Sequence, residues 1–175
     1  MSTAAGMLIG AYDPSISKGG ICVLAKPHQK YELVHHRKVQ TSSKLPVIER
    51  LDIIRRNVVE VCLAYRPTYW VVENQDRVVV GAGARGKRNH NTSRQLMAYA
   101  AGVVAAQSVG VHVWGCEPQA AKKALLGPRK GNADKEEVQA FLKAMFGIEL
   151  SKDEADAGAA CVFGWQEATR KTKGA

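Results

Sequence analysis

Apolar residues come first in short runs and alternations, then settle into a spacing of three and four, so strands precede helices along this chain. Met7 to Tyr12 is a short apolar run ending at Asp13-Pro14, where proline biases the preceding residue away from helix. Gly19-Gly20 reads as a turn, Ile21 to Ala25 as a second strand, and Tyr31 to Gln40 as a third, weakened by His35, His36, Arg37 and Lys38. Ile48, Leu51, Ile54, Val58, Val61, Cys62 and Tyr65 then form one helical stripe, which Arg66-Pro67-Thr68 ends. Tyr69 to Glu73, β-branched and aromatic, reads as a central strand. Beyond it the pattern predicts a helix over Thr92–Ser108, a strand over Val111–Trp114, and helices over Pro118–Leu126, Ala133–Phe146 and Asp153–Ala168. Val138, Phe141, Leu142 and Met145 face inward, and Arg170 to Lys173 reads as a frayed basic tail.

This order predicts an α/β protein with one mixed five-stranded sheet flanked by helices. At 175 residues a single domain is expected, with flexible tails at 1–6 and 170–175. Cys22, Cys62, Cys116 and Cys161 have no zinc or redox spacing and read as buried hydrophobes in a reducing compartment. The first residues lack a secretory pattern, and the longest mostly apolar run, Leu96 to Ala106, falls short of the ~20 residues that span a bilayer. The expectation is an intracellular, cytoplasmic protein with no membrane association.

Chemistry enters with four acids. Asp13, Glu73, Asp153 and Asp156 lie in apolar or small-residue segments, where a carboxylate must be paired, protonated or bound to metal. No Lys or Arg lies within four residues of Asp13. Adjacent first and fourth strands would bring Asp13 and Glu73 side by side, as functional groups gather at strand ends in open sheets. Asp153 and Asp156 are three apart and share a helix face, while Ala157 to Ala160 let that helix approach the sheet. Glu154 falls off that face and reads as solvated. Oxygen ligands of this kind suit magnesium, with manganese as a substitute. Two ions about 4 Å apart would activate a water and stabilise the leaving oxygen of an in-line displacement.

Charge points to the substrate class. The chain carries 25 Lys and Arg against 16 Asp and Glu, a net charge of +9. With four of those acids holding metal, 12 remain against 25 bases, a surplus that favours a polyanion. Residues 77 to 116 contain no acid at all. Their first part holds Arg77, Arg85, Lys87 and Arg88 in a glycine- and asparagine-rich segment that reads as a mobile basic loop running to Arg94. The helix that follows is uncharged from Gln95 to Ser108 and reads as a dimer interface, with a central core helix as the alternative.

With these segments in place, the chain resembles RuvC-type Holliday junction resolvases from about Met7 to Trp165. Ile9-Gly10-Ala11-Tyr12-Asp13-Pro14 looks like the family's opening strand, Tyr69 to Asn74 like its second acidic motif, and Asp153-Glu154-Ala155-Asp156-Ala157 like its closing D-x-x-D-A. Gln119 to Lys123 and Ala133 to Gln139 look like two stretches that each supply a phosphate-facing lysine, which by that match are Lys122 and Lys135. Lys123 neighbours the first and could substitute for it.

The resemblance implies an RNase H-like fold and metal-dependent nicking of four-way DNA junctions by a homodimer, one strand per subunit. It makes Asp13, Glu73, Asp153 and Asp156 the magnesium ligands, with Lys122 at the attacked phosphate. Arg77, Arg85, Lys87, Arg88, Arg94, Lys123, Lys130 and Lys135 are then candidate DNA contacts. Three departures stand out: Ser15 for the usual glycine, Gly19 for a frequent threonine, and Gln75, Asp76 and Arg77 where an aromatic wedge is common. Val80 to Asn91 looks like an insertion. Two other functions fit the same chain: an RNase H-like nuclease with wider fork and flap specificity, and a non-catalytic junction-binding protein.

Overall fold

A computed structural model describes residues 6–74, 90–128 and 133–173. Strands β1 (Leu8–Asp13), β2 (Lys18–Ala25) and β3 (Glu32–Gln40) precede helix α1 (Val47–Tyr65) and strand β4 (Tyr69–Glu73). Helix α2 (His90–Ser108), strand β5 (His112–Cys116) and helices α3 (Pro118–Leu126), α4 (Lys135–Phe146) and α5 (Lys152–Lys173) follow. The sheet order is β3-β2-β1-β4-β5, with β1, β2 and β3 antiparallel and β1, β4 and β5 parallel. The expected mixed five-stranded sheet is therefore present.

Both faces of the sheet are covered, which explains why the strands read as apolar runs rather than clean alternations. Ile9, Ala11, Cys22, Leu24 and Val71 point into one core with α3, α4 and α5. Tyr12, Ile21, Val23, Val39, Trp70 and Val72 point into the other with α1 and α2. Fully buried Trp70 lies over Gly10, where a Cβ would sit 2.3 Å from the indole, so this position of β1 has room only for glycine.

Three boundaries differ from expectation. Gly19 and Gly20 lie within β2 instead of forming a turn, paired with Val39 and Lys38. Glycine marks close approach here: a Cβ on Gly19 would meet the Asp13 carbonyl, and one on Gly20 would meet α5. The basic stretch from Arg170 to Lys173 continues α5 as helix, with Thr172 Oγ1 donating to the Ala168 carbonyl at 3.2 Å and Lys171 over the Trp114 ring. Strand β5 runs two residues past Trp114, because Val72 and Glu73 pair with Gly115 and Cys116.

All four cysteines are free and buried, as expected. Among the described residues, no helix is long and apolar enough to cross a membrane. Helix α2 turns Ala98, Ala105 and Ala106 inward and seats Gly102 against the Tyr12 ring, so it does belong to the core of the chain. Its other face leaves Leu96, Met97 and Val104 exposed, Val104 by 60%.

Candidate active site

Alternation along the strands aims the first two acids. Ile9 and Ala11 face the α5 side of the sheet, so Asp13 two residues on faces it too; Val71 directs Glu73 in the same way. Tyr12 pairs with Val72 in the parallel β1–β4 ladder, which brings the two carboxylates out on neighbouring strands at one sheet end. Asp13 is only 8% exposed.

The other two acids arrive on the first turns of α5, and Gly20 lets them in. A Cβ there would lie 2.1 Å from the Asp153 carbonyl oxygen and 2.4 Å from the Glu154 nitrogen, so α5 can start against β2 only over a glycine. Glu154, expected in solvent, is 7% exposed and builds the start of this helix. Its Oε2 accepts from the Ser151 backbone N–H at 2.9 Å and from the Ser151 hydroxyl at 2.6 Å, while Oε1 lies 2.8 Å from His36 Nδ1 on β3. That is a capping box with a cross-link to the sheet. Burial works to raise the Glu154 carboxyl, but the hydrogen bonds from Ser151 and His36 outweigh it and hold the group below its ordinary range.

The cluster is short of positive charge. Burial first, then the charges of Glu73 and Asp156, push the Asp13 carboxyl well above the usual carboxylate range. Glu73 is raised from 4.5 to about 7 by burial and then by Asp156, against the opposing charges of Lys135 and Lys122. Asp153 is raised as well, chiefly by burial. Lys135 reaches in from the first turn of α4 and pairs with Asp156. Burial disfavours its charge, yet the bond to Asp156 and the fields of Asp156, Asp13 and Asp153 hold its pKa above normal. The cation absent from the neighbourhood of Asp13 in sequence is supplied by a residue more than a hundred positions away.

Lys122, half-buried on α3, donates to the Ala133 carbonyl at 2.5 Å, and its charge acts on Glu73. Lys123 is exposed. Of the two, Lys122 is the one placed at the acids. Arg94 is exposed near the start of α2, with no described contact to the acids. Arg77, Arg85, Lys87, Arg88 and Lys130 lie outside the described residues.

Sequence reasoning missed four neighbours of the site. Glu117, just before α3, adds negative field at Glu73. Glu154 was legible as the fourth residue of a Ser-x-x-Glu box. Lys18 and Lys38 bear on Asp153 through their charges, and strand parity would have found both once Gly20 was placed in a strand.

Among the described residues no three His, Cys, Asp or Glu side chains already converge as a formed metal cage. At the centre stands the Lys135 ammonium on Asp156. The donor chemistry nevertheless fits a hard divalent cation: four carboxylates, all oxygen, three of them raised chiefly by burial and further by the charge of a neighbouring acid.

Carboxylates at the ends of β1 and β4 and on the closing helix of a five-stranded mixed sheet fit a metal-dependent nuclease of the RNase H-like fold. The family described as "Crossover junction endodeoxyribonuclease RuvC" matches residues 8–163. The chain belongs to that family, and its class of activity is endodeoxyribonuclease. It is 32% identical over 146 residues to the crossover junction endodeoxyribonuclease RuvC of Thermus thermophilus, covering 82% of each chain. The Halothermothrix orenii protein of the same name is 28% identical over 156 residues, covering 86% of this chain and 87% of that one. Among solved structures, Thermus thermophilus RuvC superposes with a TM-score of 0.76 at 31% identity, covering 95% of this chain and 98% of that one. The same protein in complex with Holliday junction substrate gives 0.75 at 29% identity, covering 94% and 96%. The yeast mitochondrial Holliday junction resolvase shares the fold, with a TM-score of 0.61 at 12% identity over 94% of this chain and 81% of that one.

Proposed function

We propose that this protein resolves four-way DNA junctions by cutting two opposing strands symmetrically, as a homodimer with magnesium at each acid cluster and manganese able to replace it. The observation that carries the proposal is the placement of Asp13, Glu73, Asp153 and Asp156 at one end of the sheet, near enough for their charges to act on one another and for those of Lys122 and Lys135 to act on them. Asp13, Glu73, Asp153 and Asp156 would hold the ions. Two bound magnesium ions would supply the activation of the attacking water and stabilisation of the leaving oxygen.

The chain's own residues do the rest. Buried acids with raised pKa hold protons that must leave before a cation enters, so Glu73 gives up its proton near pH 7. Lys135 has to release or share Asp156, which frees its ammonium to meet a phosphate oxygen. Lys122 faces the cut phosphate from the Glu73 side. The basic segment with Arg77, Arg85, Lys87 and Arg88 takes the place of an aromatic wedge, contacting crossover phosphates and stacking guanidinium planes on exposed bases. Lys123, Lys130 and Arg94 extend the phosphate-binding surface.

The dimer would form through the outer face of α2, where Leu96, Met97 and Val104 are exposed. A single observation favours a wider substrate range that includes forks and flaps: Gln75, Asp76 and Arg77 follow the second acid with no aromatic among them. Digestion of end-labelled four-way junctions, forks and flaps in magnesium separates the readings. Paired cuts confined to the four-way junction support resolution, equal cutting of all three supports the wider range, and binding without cutting in either magnesium or manganese overturns both.

A further inference from the structure

We propose that Lys18 on β2 and Lys38 on β3 form a second phosphate clamp, which seats the backbone of the cleaved strand on the Asp153 side of the acid cluster. The inference rests on the nuclease reading above and adds the path of the strand across the site.

Gly20 and Lys38 are partners in the β2–β3 ladder, and Lys18 stands two residues before Gly20, so Lys18, Gly20 and Lys38 share one sheet face. That face is fixed by contact: Gly20 abuts the Asp153 carbonyl, and His36, two residues from Lys38, reaches Glu154. Both lysines are exposed, and the charges of both act on Asp153. Neither has an ion-pair partner among the described residues. Other surface cations are already neutralised, including Arg37 by Glu60, Lys143 by Glu149 and Lys152 by Glu136. Two unpaired ammonium groups beside a carboxylate that the reaction brings to a phosphate chain have an obvious use.

Sheet order gives the direction. Lys38, Lys18, Asp13 and Glu73 stand on β3, β2, β1 and β4, four successive strands, and Lys122 lies beyond on the Glu73 side. At ~4.8 Å per strand the line from Lys38 to Glu73 spans about 14 Å, roughly four nucleotide rises of 3.4 Å. The cut strand therefore crosses the sheet end at right angles to the strands, held by Lys122 on one side of the acids and by Lys18 and Lys38 on the other.

The test is the salt dependence of junction binding, measured by fluorescence anisotropy in calcium, whose looser coordination allows binding without aligned cutting. The double variant Lys18→Ala/Lys38→Ala should lower the slope of log affinity against log salt by about 2, at ~0.9 for each phosphate contact. Lys18→Arg/Lys38→Arg should restore it. Lys26→Ala/Lys30→Ala, with the same loss of charge at the far end of these strands, should leave the slope within about 0.5 of wild type. One uncharged methylphosphonate next to the scissile linkage should weaken binding by the wild type and not by the double variant. An unchanged slope in the Lys18/Lys38 double variant, an equal fall in the Lys26/Lys30 pair, or an undiminished methylphosphonate effect in the double variant would each overturn the clamp. Cutting by the wild type in magnesium is scored in parallel, because failure there overturns the nuclease reading instead.

Discussion

Replacing Glu73 with glutamine removes a buried acid whose protonation can be followed as stability. In the folded, metal-free protein its pKa stands at about 7 against an ordinary 4.5. Below pH 4.5 the group is protonated in both folded and unfolded chains, and the full stability is present. As pH rises through 7 the folded protein is forced to ionise it, so stability falls with increasing pH. At ~1.4 kcal/mol for each pH unit between the two values, the loss approaches about 3 kcal/mol. With an m-value of ~2 kcal/mol per molar urea, that is a midpoint shift of about 1.5 M. Urea unfolding in EDTA at pH 4 and pH 8 makes the measurement. Glu73→Gln should match the wild type at pH 4 and exceed its midpoint at pH 8. Adding magnesium at pH 8 should reverse the order, since a ligand that binds only the folded state stabilises the wild type and has lost a donor in the variant. A variant no more stable than wild type at pH 8 in EDTA would refute the claim that Glu73 is buried among like charges.

Other perturbations probe the same site from different sides. Asp13→Asn and Asp156→Asn should each slow cutting by about 10³-fold or more in single-turnover assays, while junction affinity in gel shifts stays level or tightens as repulsion falls; retained cutting in either would unseat the assignment. Gly20→Ala places a methyl carbon against the Asp153 carbonyl and should cost about 1–3 kcal/mol in denaturant unfolding while weakening magnesium binding by calorimetry. A variant with wild-type magnesium affinity would mean that α5 does not depend on that contact. Val104→Glu changes a residue that is 60% exposed, so unfolding should move by no more than ~0.5 kcal/mol while light scattering reports monomers. A charge at Ala105, 1% exposed, would break the fold itself and could not test the proposed dimer.

Much of the site was legible because strand parity and helix spacing are local rules. Met7 to Asp13 and Tyr69 to Glu73 declare both their strands and the exits of their acids, and Asp153 and Asp156 share a face at any helix start. What could not be read was long-range. The Gly19-Gly20 pair carries the local signature of a turn, and only the approach of α5 explains why two glycines sit inside a strand. Helical spacing alone puts Glu154 in solvent because it takes no account of β3, whose His36 meets it. The placement of Lys122 rather than Lys123 at the acids likewise follows from how α3 is seated, with Ala121 and Leu125 buried. Helix α2 combined two properties that its lack of charge could not separate, a buried inner face and an apolar outer one.

The most direct test of junction resolution uses a supercoiled plasmid that extrudes a cruciform, incubated with the wild-type protein and magnesium and then treated with DNA ligase. Two symmetric nicks across the four-way base yield a linear product with nicked hairpin ends that ligase seals, and Asp13→Asn yields none. Nicked circles without linear product would contradict paired cutting, and an intact plasmid alongside demonstrable junction binding would contradict catalysis.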